Sequence, residues 1–184
     1  MALALVDNGY ASEMSALFSK FPDVDSDLKS AVAISYALVS NDFQGLLSTL
    51  KSSDSDEDRL KILMGLAFLK GNENLGKYLE LVKSGQVKKQ DVMRVYIYMA
   101  MNPEARETVF QNLDDAVAIV EKYFEGTGYT GTMLESVVPF VGLGREEQIK
   151  RKLESLGKPS FVKGVKKSLE SLEIYSRLVK GKGQ

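Results

Sequence analysis

The sequence predicts an all-α fold of about 10–12 short helices stacked in pairs, joined by short connections. Three observations carry that expectation. Apolar residues recur at spacings of three and four along nearly the whole 184-residue chain, the period of a helix with one buried face. Caps and breakers punctuate the pattern at intervals of one helix length. No segment alternates with period two for long enough to make a strand.

The elements follow in order. Met1 to Asn8 reads as the tail of a helix that opens abruptly. A second helix is expected from Tyr10 to Phe21, ended by Pro22, which cannot continue the hydrogen-bond ladder. Asp25 or Ser26 caps a third, to Val39, and a shorter one runs from Asp42 to Leu50. Ser55 and Asp58 form a capping-box pattern opening a helix to Leu69, closed by Gly71. Asn72 caps the next, to Lys83, with Gly85 at a left-handed C-terminal position. Lys88 to Met101 follows, and Pro103 suits a first helical turn. Asn112 is expected to cap a helix to Phe124, closed by Gly126. Thr130 to Val141 is next, with Pro139 expected to kink or fray its end. Arg145 to Leu156 ends at Gly157, and Pro159 opens a last helix from Ser160 to about Leu178. The expected domain is 1–179, with 180–184 a disordered tail.

Two kinds of helix can be distinguished. Ala31–Val39, Ile62–Leu69 and Val92–Met101 are apolar almost all round, so neighbours cover most of their faces. The last two are amphipathic, with Phe161, Val165, Leu169 and Leu172 on one stripe. Inner helices sheathed by amphipathic outer ones suggest two layers, a HEAT-like right-handed superhelix of stacked pairs, or α-solenoid. Any repeat is structural, for no exact sequence repeat is visible.

Composition removes most catalytic chemistries. The chain has no histidine and no cysteine, so a Ser-His-Asp triad, a Cys-His pair and an ordinary zinc site are excluded. Carboxylate chemistry would need two acids in one pocket with divergent pKa values, yet the acids cluster at helix starts. No apolar run approaches the ~18 residues of a membrane span, and the opening lacks the basic region of a signal peptide. Absence of cysteine is compatible with a reducing, cytoplasmic setting. Net charge is −1, but Arg145–Gln184 holds 11 Lys/Arg against 5 Asp/Glu. Lys150, Arg151, Lys152, Lys163, Lys166 and Lys167 could attract an acidic partner, or simply solvate two helices. With a pI of 5.7 the chain does not read as a nucleic-acid binder.

Three motifs fall to context. Gly126-Thr-Gly-Tyr-Thr-Gly131 matches G-x-G-x-x-G, but it follows a helix rather than a strand and reads as an interhelical loop. Asp23-Val-Asp-Ser-Asp27 starts like a calcium loop, but Leu28 and Ile34 stand where glycine and glutamate are required. Asp54-Ser-Asp-Glu-Asp58 has Arg59 in the glycine position. Both clusters suit the positive ends of helices. Tyr96, Tyr98, Met99 and Met101 crowd one helix and read chiefly as core, or as the lining of a groove.

Against this background the stretch Met64-Gly-Leu-Ala-Phe-Leu-Lys-Gly-Asn-Glu-Asn-Leu-Gly-Lys-Tyr-Leu-Glu-Leu-Val82 resembles a helix pair in the C-terminal helical domain of gluzincin zinc aminopeptidases. Gln90-Asp91, then Asn102-Pro103-Glu104-Ala105-Arg106, then Phe110 and Asn112, follow in the family's order and spacing. The likeness runs from about Ala2 to Leu156, and the lysine-rich ending looks most like the archaeal tricorn-interacting factors. The family's H-E-x-x-H, downstream glutamate and G-x-M-E-N segment are absent, so the resemblance transfers no catalytic or metal-binding residue. It implies a C-terminal fragment whose zinc belongs to a missing catalytic domain. That domain is the implied partner, with peptides passing through the cavity. In the family this domain is a bowl-shaped superhelix that caps the catalytic domain and limits which peptides reach the zinc. Gln90, Arg94, Tyr98 and Arg106 are then the candidates for peptide contact on the concave face, with helix-to-helix bonding as the plain alternative. No nucleic acid or membrane is expected as a partner. Self-association through a bared apolar surface is a further expectation, and a free-standing helical scaffold for a protein or acidic partner is the alternative function.

Overall fold

A computed structural model describes residues 2–156 and 159–181. Among them there is no β-strand; twelve α-helices and four 3-10 turns make up the regular structure. The chain divides into two compact units, Met1–Val82 and Lys83–Gln184, each described by itself.

In the first unit, α1 (Ala2–Val6), α2 (Asn8–Ala16), α3 (Ser26–Ser40), α4 (Phe43–Ser52), α5 (Asp56–Ala67) and α6 (Asn72–Lys83) follow one another. Helix α3 is the hub, packing on α2 and α5 and, less extensively, on α1 and α4. Its near-continuous apolar run explains this: Ala31, Val32, Ala33, Ile34 and Ala37 are all buried. Side-chain caps set the starts. Asp25 accepts from the Asp27 N–H at 2.9 Å, Asp42 from the Gly45 N–H at 3.0 Å, and Ser55 from the Asp58 N–H at 3.3 Å. Thus the acidic segments at 23–27 and 54–58 act as helix starts. Tyr78 on α6 donates to the Leu63 carbonyl of α5 at 2.7 Å, which satisfies a fully buried hydroxyl.

Pro22 does not end the second helix where the sequence suggested. Helix α2 stops at Ala16, and the chain tightens into a 3-10 segment, Leu17–Asp23, that contains Pro22 and bends at Lys20 (φ −116°, ψ 26°). Shorter 3-10 pieces commonly finish α-helices, and here the turn drives Phe18 and Phe21 into the core.

Asn41 closes α3 in the left-handed conformation (φ 51°). Its side chain accepts from the Lys70 N–H at 2.8 Å and donates to the Lys70 carbonyl at 3.3 Å, tying α3 to the loop after α5. Asn41→Ala loses both bonds and keeps an unfavourable backbone, so it should cost about 2 kcal/mol, with Asn41→Gly intermediate. Urea denaturation of the two variants checks the order.

The second unit holds α7 (Val92–Met101), α8 (Arg106–Gln111), α9 (Leu113–Phe124), α10 (Tyr129–Val141), α11 (Glu146–Ser155) and α12 (Val162–Gly181). Helix α10 is its centre, packed on α12 most extensively and on α7, α8 and α9. The expected helix from Lys88 opens instead as a 3-10 turn, Lys89–Asp91, before α7. Asn102 caps the turn Pro103–Ala105 through the Glu104 N–H at 3.1 Å, with proline in the first turn as its spacing predicted. Asn112 stands at the start of α9 but does not cap it, because its amide donates back to the Thr108 carbonyl at 2.9 Å. Helix α10 continues past Pro139 to Val141, since a proline in the last turn removes only one ladder bond. Helix α12 reaches Gly181, so Lys180 and Gly181 are helical. Gly157 and Lys182–Gln184 lie outside the described residues.

Candidate functional site

Gln90, Arg94 and Tyr98 are spaced by four, which on a helix places them on one face. Gln90 sits in the 3-10 turn and is exposed; Arg94 is exposed on α7; Tyr98, one turn on, is half-buried. The Arg94 guanidinium lies 3.7 Å from the buried Asp91 carboxylate. Burial raises the Tyr98 phenol above its usual range; the Arg94 cation opposes that shift and the Asp91 carboxylate adds to it. Arg94 and Tyr98, four residues apart on α7, offer a cation and a phenol on one face, with the Gln90 amide in the turn ahead of the helix.

Arg106 has a different setting. Its Nε donates to the Ala100 carbonyl at 3.2 Å, capping α7, and its guanidinium lies 5.5 Å from the Phe140 ring centroid. Burial draws its pKa below the usual arginine value. The side chain thus has a helix-capping and stacking role whatever else it touches.

The interior of α7 holds a second feature. Tyr96 is 1% exposed, and its hydroxyl has no hydrogen-bond partner among the described residues. Burial, with a smaller contribution from Asp115, pushes its pKa well up, so the phenol is neutral at all ordinary pH. Tyr96→Phe should therefore leave stability within about 0.5 kcal/mol of the parent or raise it, because no bond is lost and a buried polar atom is removed. Chemical denaturation reads this directly.

The sequence reasoning missed an aromatic clasp in the same unit. Phe110 on α8 lies under two cations of the α11 segment, Arg145 at 4.7 Å and Lys152 at 5.6 Å from the ring centroid. Arg145 also pairs with Glu107, and Lys152 with Asp114. The Glu107 carboxyl is held below its usual range by hydrogen bonds from Gln111 first and from Arg145 second. The signal was present as two acids seven residues apart facing two bases seven residues apart, but it becomes readable only once the helices are known to be neighbours.

A groove of about 740 Å³ runs between α11 and α12, lined by Glu146, Lys150, Lys166, Leu169, Glu173 and Arg177 among others. Lys152 pairs with Asp114, Lys166 with Glu170 at 4.0 Å and Lys167 with Glu135 at 3.5 Å, so half of the basic cluster is matched locally. In the glycine motif, Gly126 and Gly128 adopt positive φ (76° and 79°) in the α9–α10 loop, and Gly131 packs against the α12 backbone. All three glycines have backbone reasons, as expected of an interhelical loop.

Zinc does not suit this donor set. The chain has neither histidine nor cysteine, and among the described residues no three acids are grouped to hold a metal ion. No described helix is long and apolar enough to cross a membrane.

Comparison with known proteins places these features in a family. Tricorn protease-interacting factor F2 of Thermoplasma acidophilum is 38% identical over 176 residues, covering 96% of this chain and 22% of that protein. Leucyl aminopeptidase of Saccharolobus solfataricus is 31% identical over 178 residues, 96% of this chain and 23% of the relative. Aminopeptidase M1-C of Oryza sativa subsp. japonica is 26% identical over 140 residues, 76% of this chain and 16% of that protein. The chain thus spans less than a quarter of the length of each relative. A family model described as ERAP1-like C-terminal domain matches residues 1–174, and the chain belongs to that family of C-terminal domains of aminopeptidase-like proteins.

Proposed function

We propose that this chain is the non-catalytic C-terminal cap of a zinc-dependent aminopeptidase, enclosing the active-site cavity and gating the peptides that enter it. Family membership across residues 1–174 carries the reading. On this reading the zinc ligands belong to the catalytic domain, since this chain holds neither histidine nor cysteine. On this reading the helix pairs form a HEAT-like right-handed superhelix whose concave side faces the cavity. Peptides are the ligands, the catalytic domain is the partner, and the setting is cytoplasmic.

Gln90, Arg94 and Tyr98 meet the peptide, with Arg94 as the charged contact. Arg106 acts in the same region while holding the end of α7 through Ala100. Their geometry fits weak, sequence-tolerant contacts, since Gln90 and Arg94 are exposed and Tyr98 and Arg106 half-buried. Such contacts act on long substrates and leave short ones untouched.

The test uses the polypeptide extended upstream in the same reading frame. This chain alone should release no amino acid from an aminoacyl anilide, while the extended protein should do so in a zinc-dependent manner. In the extended protein Arg94→Ala should raise KM for peptides of about ten residues by roughly 3–10-fold, with the anilide unaffected, as expected for loss of one exposed contact worth about 1 kcal/mol. Equal changes on both substrates would rule out a gating role for this face. A stop codon directly ahead of Met1 would favour the free-standing scaffold.

A further inference from the structure

We propose that Asn8 is a site of spontaneous covalent modification, where the chain converts its own asparagine to aspartate and isoaspartate with release of ammonia. Asn8-Gly9 is the one asparagine–glycine step in the sequence. Asp7, extended at φ −124° and ψ 107°, caps α2, and its side chain accepts from the Tyr10 N–H at 3.0 Å. The cap therefore serves Tyr10. It leaves the N–H of Gly9, second in the helix, with no acceptor among the described residues. Asn8 and Gly9 are both exposed, and the Asn8 side chain has no hydrogen-bond partner among the described residues. Gly9 also lacks a Cβ that would shield its nitrogen.

The remaining asparagines are held or blocked. Asn41 is tied by its side chain to both main-chain groups of Lys70, and the Asn74 amide donates to the Asn41 and Lys70 carbonyls at 3.3 Å. The Asn102 carbonyl oxygen holds the Glu104 N–H at 3.1 Å, and the following Pro103 has no N–H to react. The Asn112 amide donates to the Thr108 carbonyl at 2.9 Å. Asn72 is followed by Glu73, whose side chain crowds the nitrogen that would have to attack. Asn8 alone combines a free side chain with an unshielded, unbonded neighbouring nitrogen.

The chemistry closes a cyclic imide and then opens it. The Gly9 nitrogen gives its proton to solvent base and bonds to the Asn8 Cγ. The Cγ–Nδ2 bond breaks, and Nδ2 takes a proton from water and leaves as ammonia. Water then adds to the ring. Addition at Cγ gives aspartate; addition at the Asn8 main-chain carbonyl carbon gives isoaspartate, in which the chain runs on through the side chain. Either route consumes one amide and one water and yields one carboxylate and one ammonium ion. Ring closure requires Asn8 to leave the helical conformation, which opens only the first turn of α2. The bonds given up are the Tyr10 cap, Ala11 N–H to the Asp7 carbonyl at 3.0 Å, and the Ser12 hydroxyl to the Asn8 carbonyl at 2.9 Å. Helix ends open in this way without global unfolding. The aspartate product adds a negative charge where the helix dipole favours it, whereas isoaspartate lengthens the main chain by a carbon and displaces the cap.

Prolonged warm incubation of the 184-residue chain, folded and urea-unfolded, followed by tryptic mapping tests this. Residues 1–20 form the first tryptic peptide, in which Asn8 is the only side-chain amide. That peptide should gain about 1 Da before any other, with part of the product accepting a methyl group from an isoaspartyl-specific methyltransferase. The folded chain should react about ten- to a hundredfold more slowly than the unfolded one, the effect of opening a single turn, and faster as pH rises. Gly9→Ala should slow the folded-state reaction more than about tenfold, and Asn8→Gln should abolish it in this peptide. Circular dichroism confirms that both variants keep their helices. A folded-state rate more than about a thousandfold below the unfolded rate overturns the proposal, since the reaction would then wait on global unfolding. So does earlier reaction at another asparagine, or a mass gain in this peptide that Gly9→Ala leaves unchanged.

Discussion

Gly164→Ala is expected to lower the stability of the chain by about 3 kcal/mol, through overpacking at a site that cannot relax. Gly164 on α12 meets Gly131 on α10 backbone to backbone. A Cβ added at 164 would lie 2.8 Å from both the carbonyl carbon and the carbonyl oxygen of Gly131, and closer still to its Cα. These are main-chain atoms, so relief requires the two helices to move apart along the most extensive contact in the unit. Gly131→Ala should be milder, because its added Cβ stops 3.3 Å from the Gly164 Cα. The control is Gly76→Ala on α6, where an added Cβ meets nothing within 4 Å. There the smaller loss of backbone entropy on folding should stabilise by about 0.5–1 kcal/mol. Urea denaturation of the three variants should therefore show two losses of unequal size and one gain.

Asp58→Ala is expected to cost about 3 kcal/mol by stranding a buried lysine. Lys29 is only 7% exposed and places its ammonium 2.7 Å and 2.8 Å from the two oxygens of Asp58. The pair joins α3 to the first turn of α5, and the Lys29 ammonium also lies 5.4 Å from the Phe21 ring centroid. Removing the acid leaves the cation with little water and no counter-charge, whereas replacing both partners by apolar groups removes the desolvation cost as well. Lys29→Met combined with Asp58→Leu should accordingly recover at least half of the loss. A double-mutant cycle measured by denaturation at neutral pH separates the two cases.

The class of fold was legible because period and punctuation act locally. The caps at Asp25 and Ser55 are each set by the side chain and the N–H two or three residues on, and the sequence shows both, whereas Asp42 was read as the first helical residue and instead caps α4. Pro103 in a first turn and the glycine-bearing α9–α10 loop were readable for the same reason. What failed was decided by competition between equally local options. Asn112 had a donor and an acceptor, and the Thr108 carbonyl took the donor. Pro22 was absorbed because a 3-10 turn asks less of the chain there than a clean stop.

The candidate site was legible only in part. Gln90, Arg94, Tyr98 and Arg106 were all named through the family resemblance; the Arg94–Asp91 pair lies within one turn, whereas the bond of Arg106 to Ala100 comes from the turn at Pro103. The clasp on Phe110 joins residues about 38 positions apart, and the groove between α11 and α12 exists only after those helices meet. Neither can be written as a local rule.

The most direct test of the cap reading is to sequence the source gene upstream of Met1 in the same frame. The account predicts an open frame with H-E-x-x-H several hundred residues ahead, so that this chain completes a zinc aminopeptidase. A stop codon and a ribosome-binding site immediately before Met1 would contradict it and leave the family likeness as a statement about fold alone.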